Sequence, residues 1–223
     1  MNVEKRNAGW RAAEYVEDGM TVGLGTGSTA KYAIEKIGER IEEEGLEIVG
    51  IPTSIQTKKR AEEAGIEIVE LDKADKIDLT IDGADEVDPD KNLIKGGGGA
   101  LLREKIVAHN SQKYIVVVDP SKMVDALGKT FDLPVEILSL WQDAIAEQVE
   151  ALGCDAEIRQ RSNDIYETDN GNNILDCDFG VIDEPEKLTQ KLNSVPGVIE
   201  NGLFLGTSDI IIIGNEKGFR EID

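Results

Sequence analysis

The sequence predicts an α/β fold: a Rossmann-like parallel-sheet domain with an inserted ferredoxin-like α+β domain. Three observations lead there. Up to about residue 130, short apolar runs alternate with segments of helical spacing, the pattern of a parallel sheet covered by helices on both faces. From Phe131 onward the order becomes strand, helix, strand, strand, helix, strand, which is the ferredoxin-like unit. A last apolar run, "SDIIIIGN" at 208–215, has no partner in that unit and is expected back in the first sheet. The expected domains are therefore 1–128 with 206–223, discontinuous, and 129–205, inserted.

The elements follow in order. "EKRNAGWRAAEYVE" (4–17) carries apolar residues at helical spacing, and "TVGLG" (21–25) is a short strand ending in glycine. "STAKYAIEKIGERIEEEG" (28–45) opens with Ser and Thr as caps and closes on Gly45, a normal helix stop. "LEIVGIPT" (46–53) and "IEIVEL" (66–71) are strand-like, with the helix "SIQTKKRAEEAG" (54–65) between them. "KIDLTID" (76–82) and "KYIVVVD" (113–119) are further strands. In the second half, "LPVEILSL" (133–140) reads as strand and "WQDAIAEQVEALG" (141–153) as helix. "DAEIRQ" (155–160) and "NILDCDFG" (173–180) are strands joined through the turn-rich "TDNGNN". "DEPEKLTQKLNSVPG" (183–197) is a helix ended by Pro196 and Gly197, and "VIENGLFLG" (198–206) is a strand.

Composition narrows the function. Hydrophobic residues make up 40% of 223, enough for a packed core. No apolar run is long enough to cross a bilayer, and the start "MNVEKRNAGW" is too polar for a secretory signal, so the cytoplasm is expected. One histidine, His109, and two cysteines outside any CxxC pair are too few for a zinc site. The 45 acidic and 24 basic residues give a net charge of −21, which disfavours nucleic acid and anionic membranes as partners. Acidic residues are spread along the chain rather than gathered in a tail, the pattern of an ordinary solvated acidic surface or, more sharply, of adaptation to high salt.

Three strand-to-helix loops carry the candidate chemistry, because ligands bind at the carboxyl ends of strands in such sheets. "GLGTGSTA" (23–30) offers backbone N–H groups and the hydroxyls of Thr26, Ser28 and Thr29 beside Gly25 and Gly27, a setting for phosphate or another anion. As a dinucleotide fingerprint it fails, since Ala30 stands where GxGxxG needs its last glycine. "TIDGADEVDP" (80–89) brings Asp82 and Asp85 to a strand end, where two carboxylates can bind sugar hydroxyls, move protons or hold Mg²⁺. Glu86 and Asp88 read as solvated charges. "IKGGGGALLRE" (94–104) has four glycines that permit positive φ and close ligand approach. Lys95 precedes them, placed to meet an anion or a developing oxyanion, and Glu104 follows within the first two turns of a helix. Lys122 in "VVVDPSKMV" and Thr53, Ser54 and Thr57 in "PTSIQT" occupy two more strand-to-helix junctions.

Together, "GLGTGSTA", "TIDGADEVDP", "IKGGGGALLREKI" and "VVDPSKMV" resemble type A ribose-5-phosphate isomerases, in order and in spacing. "TDNGNNILD" and "PGVIENGLF" extend the resemblance over essentially the whole chain. The resemblance implies interconversion of ribose 5-phosphate and ribulose 5-phosphate in the non-oxidative pentose phosphate branch, without metal or cofactor, by a homodimer or homotetramer. It implies Glu104 as general base, with Asp82 and Asp85 contacting sugar hydroxyls and assisting ring opening, and Lys95 near the reacting oxygens. The implied substrate contacts are Thr26, Gly27, Ser28, Thr29, Asp82, Gly83, Ala84, Asp85, Lys95, Gly96, Gly97, Gly98 and Lys122, and Lys5 aligns with a phosphate contact. The alternatives are a sugar-phosphate sensor, a sugar-phosphate deaminase and an acyl-CoA transferase. The first would carry a helix-turn-helix segment and a basic face, both missing from this sequence. The second would bring more histidine, and the third would need room for CoA beside a nucleophilic Glu.

Overall fold

The computed structural model describes residues 2–223 and forms two compact units. The first comprises the described residues up to Ala84, with Arg103–Lys122 and Thr207–Asp223; the second comprises Asp85–Leu102 and Met123–Gly206. Among the described residues, no helix is long and apolar enough to cross a membrane.

The first unit is built on a seven-stranded sheet. Its strands run in the order Gly218–Ile222, Ile210–Asn215, Tyr114–Val118, Leu79–Asp82, Thr21–Leu24, Val49–Pro52 and Glu67–Ile68. Neighbours are parallel except for the edge hairpin of Ile210–Asn215 with Gly218–Ile222. Every residue of Tyr114–Val118 is buried, as a continuous apolar run in mid-sheet requires. The isoleucines of 210–213 return to this sheet beside Ile115–Val118, as the sequence indicated. The edge strand Gly218–Ile222 was not read from the sequence; "GFREI" has no clear alternation, and its neighbour and the turn at Asn215 place it.

Helix Val3–Ala13 is capped by Asn2, whose side chain accepts the Lys5 N–H at 3.1 Å. Its buried face is small: Ala8, Gly9, Ala12 and Ala13. A Cβ on Gly9 would lie 2.7 Å from the Ala33 nitrogen, so glycine sets the approach to helix Ala30–Glu44. That second helix ends at Gly45 with φ 72°, the left-handed stop expected. Its expected Ser/Thr cap does not form. Thr29 is already helical in conformation and makes no side-chain cap bond, while the Ser28 hydroxyl accepts from Lys5 Nζ at 2.8 Å.

The second unit holds a four-stranded antiparallel sheet in the order Val198–Asn201, Leu133–Ile137, Asn173–Asp178, Asp155–Ile158. Helices Gln142–Glu150 and Pro185–Asn193 connect its strands, completing the ferredoxin-like order. The "TDNGNN" turn serves this sheet. Thr168, Asn170 and Asn172 donate to one oxygen of buried Glu136, at 3.0, 3.1 and 2.9 Å.

Two expectations change here. "VIENGLFLG" is not one strand. Gly202 donates to the Pro134 carbonyl and accepts from the Lys95 N–H at 2.9 Å, so the chain leaves the four-stranded sheet there. Leu203–Phe204 instead joins Glu86–Val87 and Leu93–Ile94 in a small antiparallel sheet. Glu86 is not a solvated charge. It is fully buried and accepts from Gly128 N at 2.6 Å, Thr130 N at 2.6 Å and the Thr130 hydroxyl at 2.7 Å. Those donors replace its water shell, as burial of a carboxylate demands.

Candidate functional site

In the first unit two carboxylates meet a phenol. Asp82 ends strand Leu79–Asp82 and is wholly buried. Its Oδ1 accepts from Thr26 N at 3.1 Å and from Gly83 N at 2.7 Å. A Cβ on Gly25 would fall 2.2 Å from that oxygen, so the glycine loop can close over Asp82 only because residue 25 is bare. Glu104 lies in helix Leu101–His109 and is 4% exposed. Tyr114 sits opposite Thr80 in the sheet register, two pairs from Asp82. Burial pushes its phenol well above the usual range, and the charges of Asp82 and Glu104 push the same way. The phenol therefore stays protonated beside both carboxylates.

The same unit holds a cationic corner. Lys5 Nζ donates to Ser28 Oγ at 2.8 Å and lies 3.7 Å from Asp119 Oδ2, linking the "GTGST" loop to the "DPSK" loop. Asp119 precedes the short helical turn Pro120–Lys122 that carries Lys122. Lys5 is thus brought to Ser28.

Behind the Thr26 loop lies a cluster of hydroxyls. Thr26 Oγ1 is 2.8 Å from Thr53 Oγ1, 2.8 Å from Ser54 Oγ and 3.0 Å from Thr57 Oγ1. Thr57 Oγ1 also donates to the Gly25 carbonyl at 3.1 Å, and Thr53 Oγ1 to the Leu24 carbonyl at 3.0 Å. Ser54 caps helix Ile55–Glu63, accepting from Thr57 N at 3.0 Å. The "PTSIQT" junction therefore fixes the Thr26 loop from below. Thr57→Val keeps the shape and strands buried partners, so it is expected to cost about 1–3 kcal/mol of stability. An unchanged urea midpoint would contradict that role for the cluster.

The second unit holds the glycine segment. Gly96 and Gly99 have φ of 106° and 80°, conformations that only glycine adopts readily. Gly97 N donates to Asp85 Oδ2 at 2.8 Å, and a Cβ there would lie 2.7 Å from Asp85 Oδ1. A Cβ on Gly99 would lie 2.2 Å from the Tyr166 hydroxyl, which donates to the Gly98 carbonyl at 3.3 Å. The backbone is bare at 97 and 99 because Asp85 and Tyr166 approach it. Gly97 and Gly98 remain exposed. Lys95 is 2% exposed, its backbone N–H held by Gly202 and its ammonium 5.4 Å from the Phe204 ring centre. Asp82 and Asp85, close in sequence, belong to different units and are held by different partners.

The sequence reading missed Tyr114 and the brace made by Arg159 and Asp176. Arg159 Nη1 donates to the Gly96 carbonyl at 2.7 Å and the Gly97 carbonyl at 3.3 Å. Its Nε donates to Asp176 Oδ2 at 2.9 Å, and Nη2 pairs with Oδ1 in a two-point contact. The nearby cleft of about 1040 Å³ is lined by Asp132, Asp155, Glu157, Asp176 and Asp178 beside Arg159. Burial, then Asp178, Asp176 and Glu157, push the Asp132 carboxyl up. Such a cleft repels a phosphate, so its size does not make it the substrate site.

The comparisons agree with one another. The family model for ribose 5-phosphate isomerase A (phosphoriboisomerase A) matches residues 49–218. Ribose-5-phosphate isomerase A of Streptococcus thermophilus is 50% identical over 224 residues, covering 100% of this chain and 99% of the relative. A solved D-ribose-5-phosphate isomerase in complex with phospho-erythronic acid is 43% identical with a TM-score of 0.96, each chain covered 100%. Ribose 5-phosphate isomerase A of Methanocaldococcus jannaschii is 40% identical with a TM-score of 0.93, covering 98% of this chain and 97% of that one. The chain belongs to the ribose 5-phosphate isomerase A family.

Proposed function

We propose that the chain interconverts D-ribose 5-phosphate and D-ribulose 5-phosphate by proton transfer through an enediol, with Glu104 as the base. The observation that carries this reading is the buried pair of Asp82 and Glu104 around Tyr114, in a chain of this family.

The residue types suit the reaction. In the open-chain aldose, the Glu104 carboxylate takes the C2 proton, the C1–C2 enediol forms, and the same group returns the proton to C1. Asp82, whose Oδ1 is fixed by two backbone N–H groups, passes the hydroxyl proton between O2 and O1 and serves ring opening. Lys95 stabilises the oxyanion with its buried positive charge. Asp85 and the segment Gly96, Gly97 and Gly98 receive sugar hydroxyls. Lys5, Ser28, Thr29 and Lys122 take the phosphate, with Thr26 and Gly27 shaping their loop. Gly83 and Ala84 carry the chain from Asp82 to Asp85 without bulk. A solved relative binds phospho-erythronic acid. That compound joins a phosphate to a carboxylate, and two carboxylate oxygens resemble the two oxygens of an enediolate. The test is an assay of ribulose 5-phosphate formation by the purified chain with EDTA present. No turnover above a heat-inactivated control would overturn the reading.

Charge sets a further expectation. A chain at −21 repels a dianionic substrate at long range, while its lysines attract it locally. Salt shortens the screening length from about 10 Å at 0.1 M to about 3 Å at 1 M, which weakens the repulsion first. KM for ribose 5-phosphate is expected to fall or stay flat as KCl rises, and a steep rise would contradict this account. We read the acidic composition as adaptation to a salty cytoplasm. A chain most stable in dilute buffer and unfolded by molar KCl would exclude that.

A further inference from the structure

The chain's two cysteines, Cys154 and Cys177, take no part in the isomerisation chemistry above. Both belong to the second unit, where strand Asp155–Ile158 pairs antiparallel with Asn173–Asp178 in a register that sets Ala156 opposite Cys177. Side chains alternate faces along a strand, so Cys154, two residues before Ala156, shares the face of Ala156 and Cys177. That face is the core side. Cys154, Ala156, Ile158, Leu175 and Cys177 pack in one hydrophobic cluster, while Asp155, Glu157 and Asp178 are exposed. The Cys154 thiol donates to the Val149 carbonyl at 3.7 Å and the Cys177 thiol to the Leu175 carbonyl at 3.9 Å, and the two thiols perturb each other's titration. Cys177 is buried and Cys154 is partly exposed.

We propose that Cys154 and Cys177 are an oxidisable dithiol that closes into an intrachain disulfide on exposure to hydrogen peroxide. The division of labour follows from their surroundings. The neighbouring Cys177 thiol lowers the Cys154 pKa despite burial and the nearby Glu150 and Asp155 carboxylates, favouring the reactive thiolate at the solvent-reachable position. The neighbouring Cys154 thiol, with burial, pushes Cys177 up and keeps it protonated. In the first step Cys154 sulfur attacks one peroxide oxygen, an S–O bond forms, the O–O bond breaks and hydroxide leaves. Sulfur is oxidised by two electrons to sulfenic acid, and peroxide is reduced. In the second step Cys177 sulfur displaces that oxygen; the S–S bond forms, the S–O bond breaks, and the oxygen leaves as water with the thiol proton. Two thiols and one peroxide give one disulfide and two waters. Packing as two small apolar groups would explain burial of each cysteine. It does not explain why the chain's two cysteines, remote in sequence, fall one diagonal step apart on the same face of two neighbouring strands. The clamp would join an edge strand to its inner neighbour. Asp176 of the inner strand accepts from Arg159, next after the edge strand, which in turn donates to the Gly96 and Gly97 carbonyls.

The reduced full-length chain is treated with hydrogen peroxide, quenched, and examined by intact mass and by thiol titration in denaturant. The wild type is expected to lose two hydrogens and both titratable thiols without becoming a cross-linked dimer. Its Tm is expected to rise by about 5 °C, reversed by dithiothreitol. Cys154→Ser is expected to keep its remaining thiol, and Cys177→Ala to accumulate oxygen on Cys154 instead. Retention of both thiols by the wild type, over-oxidation to sulfinic acid, or a disulfide only between chains would overturn the proposal. Assaying isomerase activity on the same samples keeps this result separate from the proposed function, since the disulfide forms or fails to form whatever the substrate.

Discussion

Glu104→Gln is expected to lower kcat by about a thousandfold, the usual range for loss of a positioned general base. Binding of ribose 5-phosphate is expected to stay within a few-fold of wild type. Glutamine matches glutamate in shape, so helix Leu101–His109 keeps its packing and only the proton acceptor is lost. Removing the charge also relieves a buried carboxylate that raises the Tyr114 pKa, so the variant is expected to fold. The comparison uses a coupled assay for kcat and calorimetry for binding. A variant with near-normal kcat would remove Glu104 as the base; one that neither turns over nor binds would indicate a binding role instead.

The second large effect is expected at a positioning residue. Arg159→Ala removes the donor to two carbonyls of the glycine segment and leaves Asp176, in a half-buried setting, without its partner. Displacement of reacting groups by about 1 Å can cost on the order of 100-fold in rate. A fall in kcat of that order is expected, with the far-ultraviolet circular dichroism preserved. Arg159→Lys is expected to recover only part of it, because an ammonium cannot make the two-point contact with Asp176 and reach the carbonyls as well. Faster amide exchange at Gly97–Gly99 in the alanine variant would mark the loosened segment. A purely structural role would lower stability and leave kcat of the folded fraction alone, and unchanged kcat would refute the positioning role.

The sequence made the large pattern legible because that pattern is periodic. Apolar runs such as "YIVVV" and "DIIII" announce buried strands, and Gly45 stops a helix by its own conformational freedom. The loops at strand ends were legible for the same reason: Asp82 follows an apolar run and Glu104 follows the glycines. The rest depends on partners distant in sequence. Arg159 looked like one more strand residue, but its side chain reaches Asp176 and the Gly96 and Gly97 carbonyls. Glu86 looked solvated until residues more than forty positions away supplied its donors. The Ser28 cap failed for a similar reason, since Lys5 from the first helix takes that hydroxyl. The glycines were read as room for a ligand, and Asp85 and Tyr166 also come close at Gly97 and Gly99. Local composition records the need for a bare backbone and does not record what comes close to it.

The most direct measurement is the fate of hydrogen during turnover in deuterium oxide. Ribose 5-phosphate is incubated with the purified chain and EDTA, and both sugars are followed by nuclear magnetic resonance. Proton transfer through an enediol on Glu104 is expected to place deuterium at C1 of ribulose 5-phosphate and at C2 of recovered ribose 5-phosphate, and Glu104→Gln is expected to stop both. Isomerisation in which hydrogen moves from C2 to C1 with no solvent deuterium at either carbon, or exchange that survives in Glu104→Gln at the wild-type rate, would contradict the account.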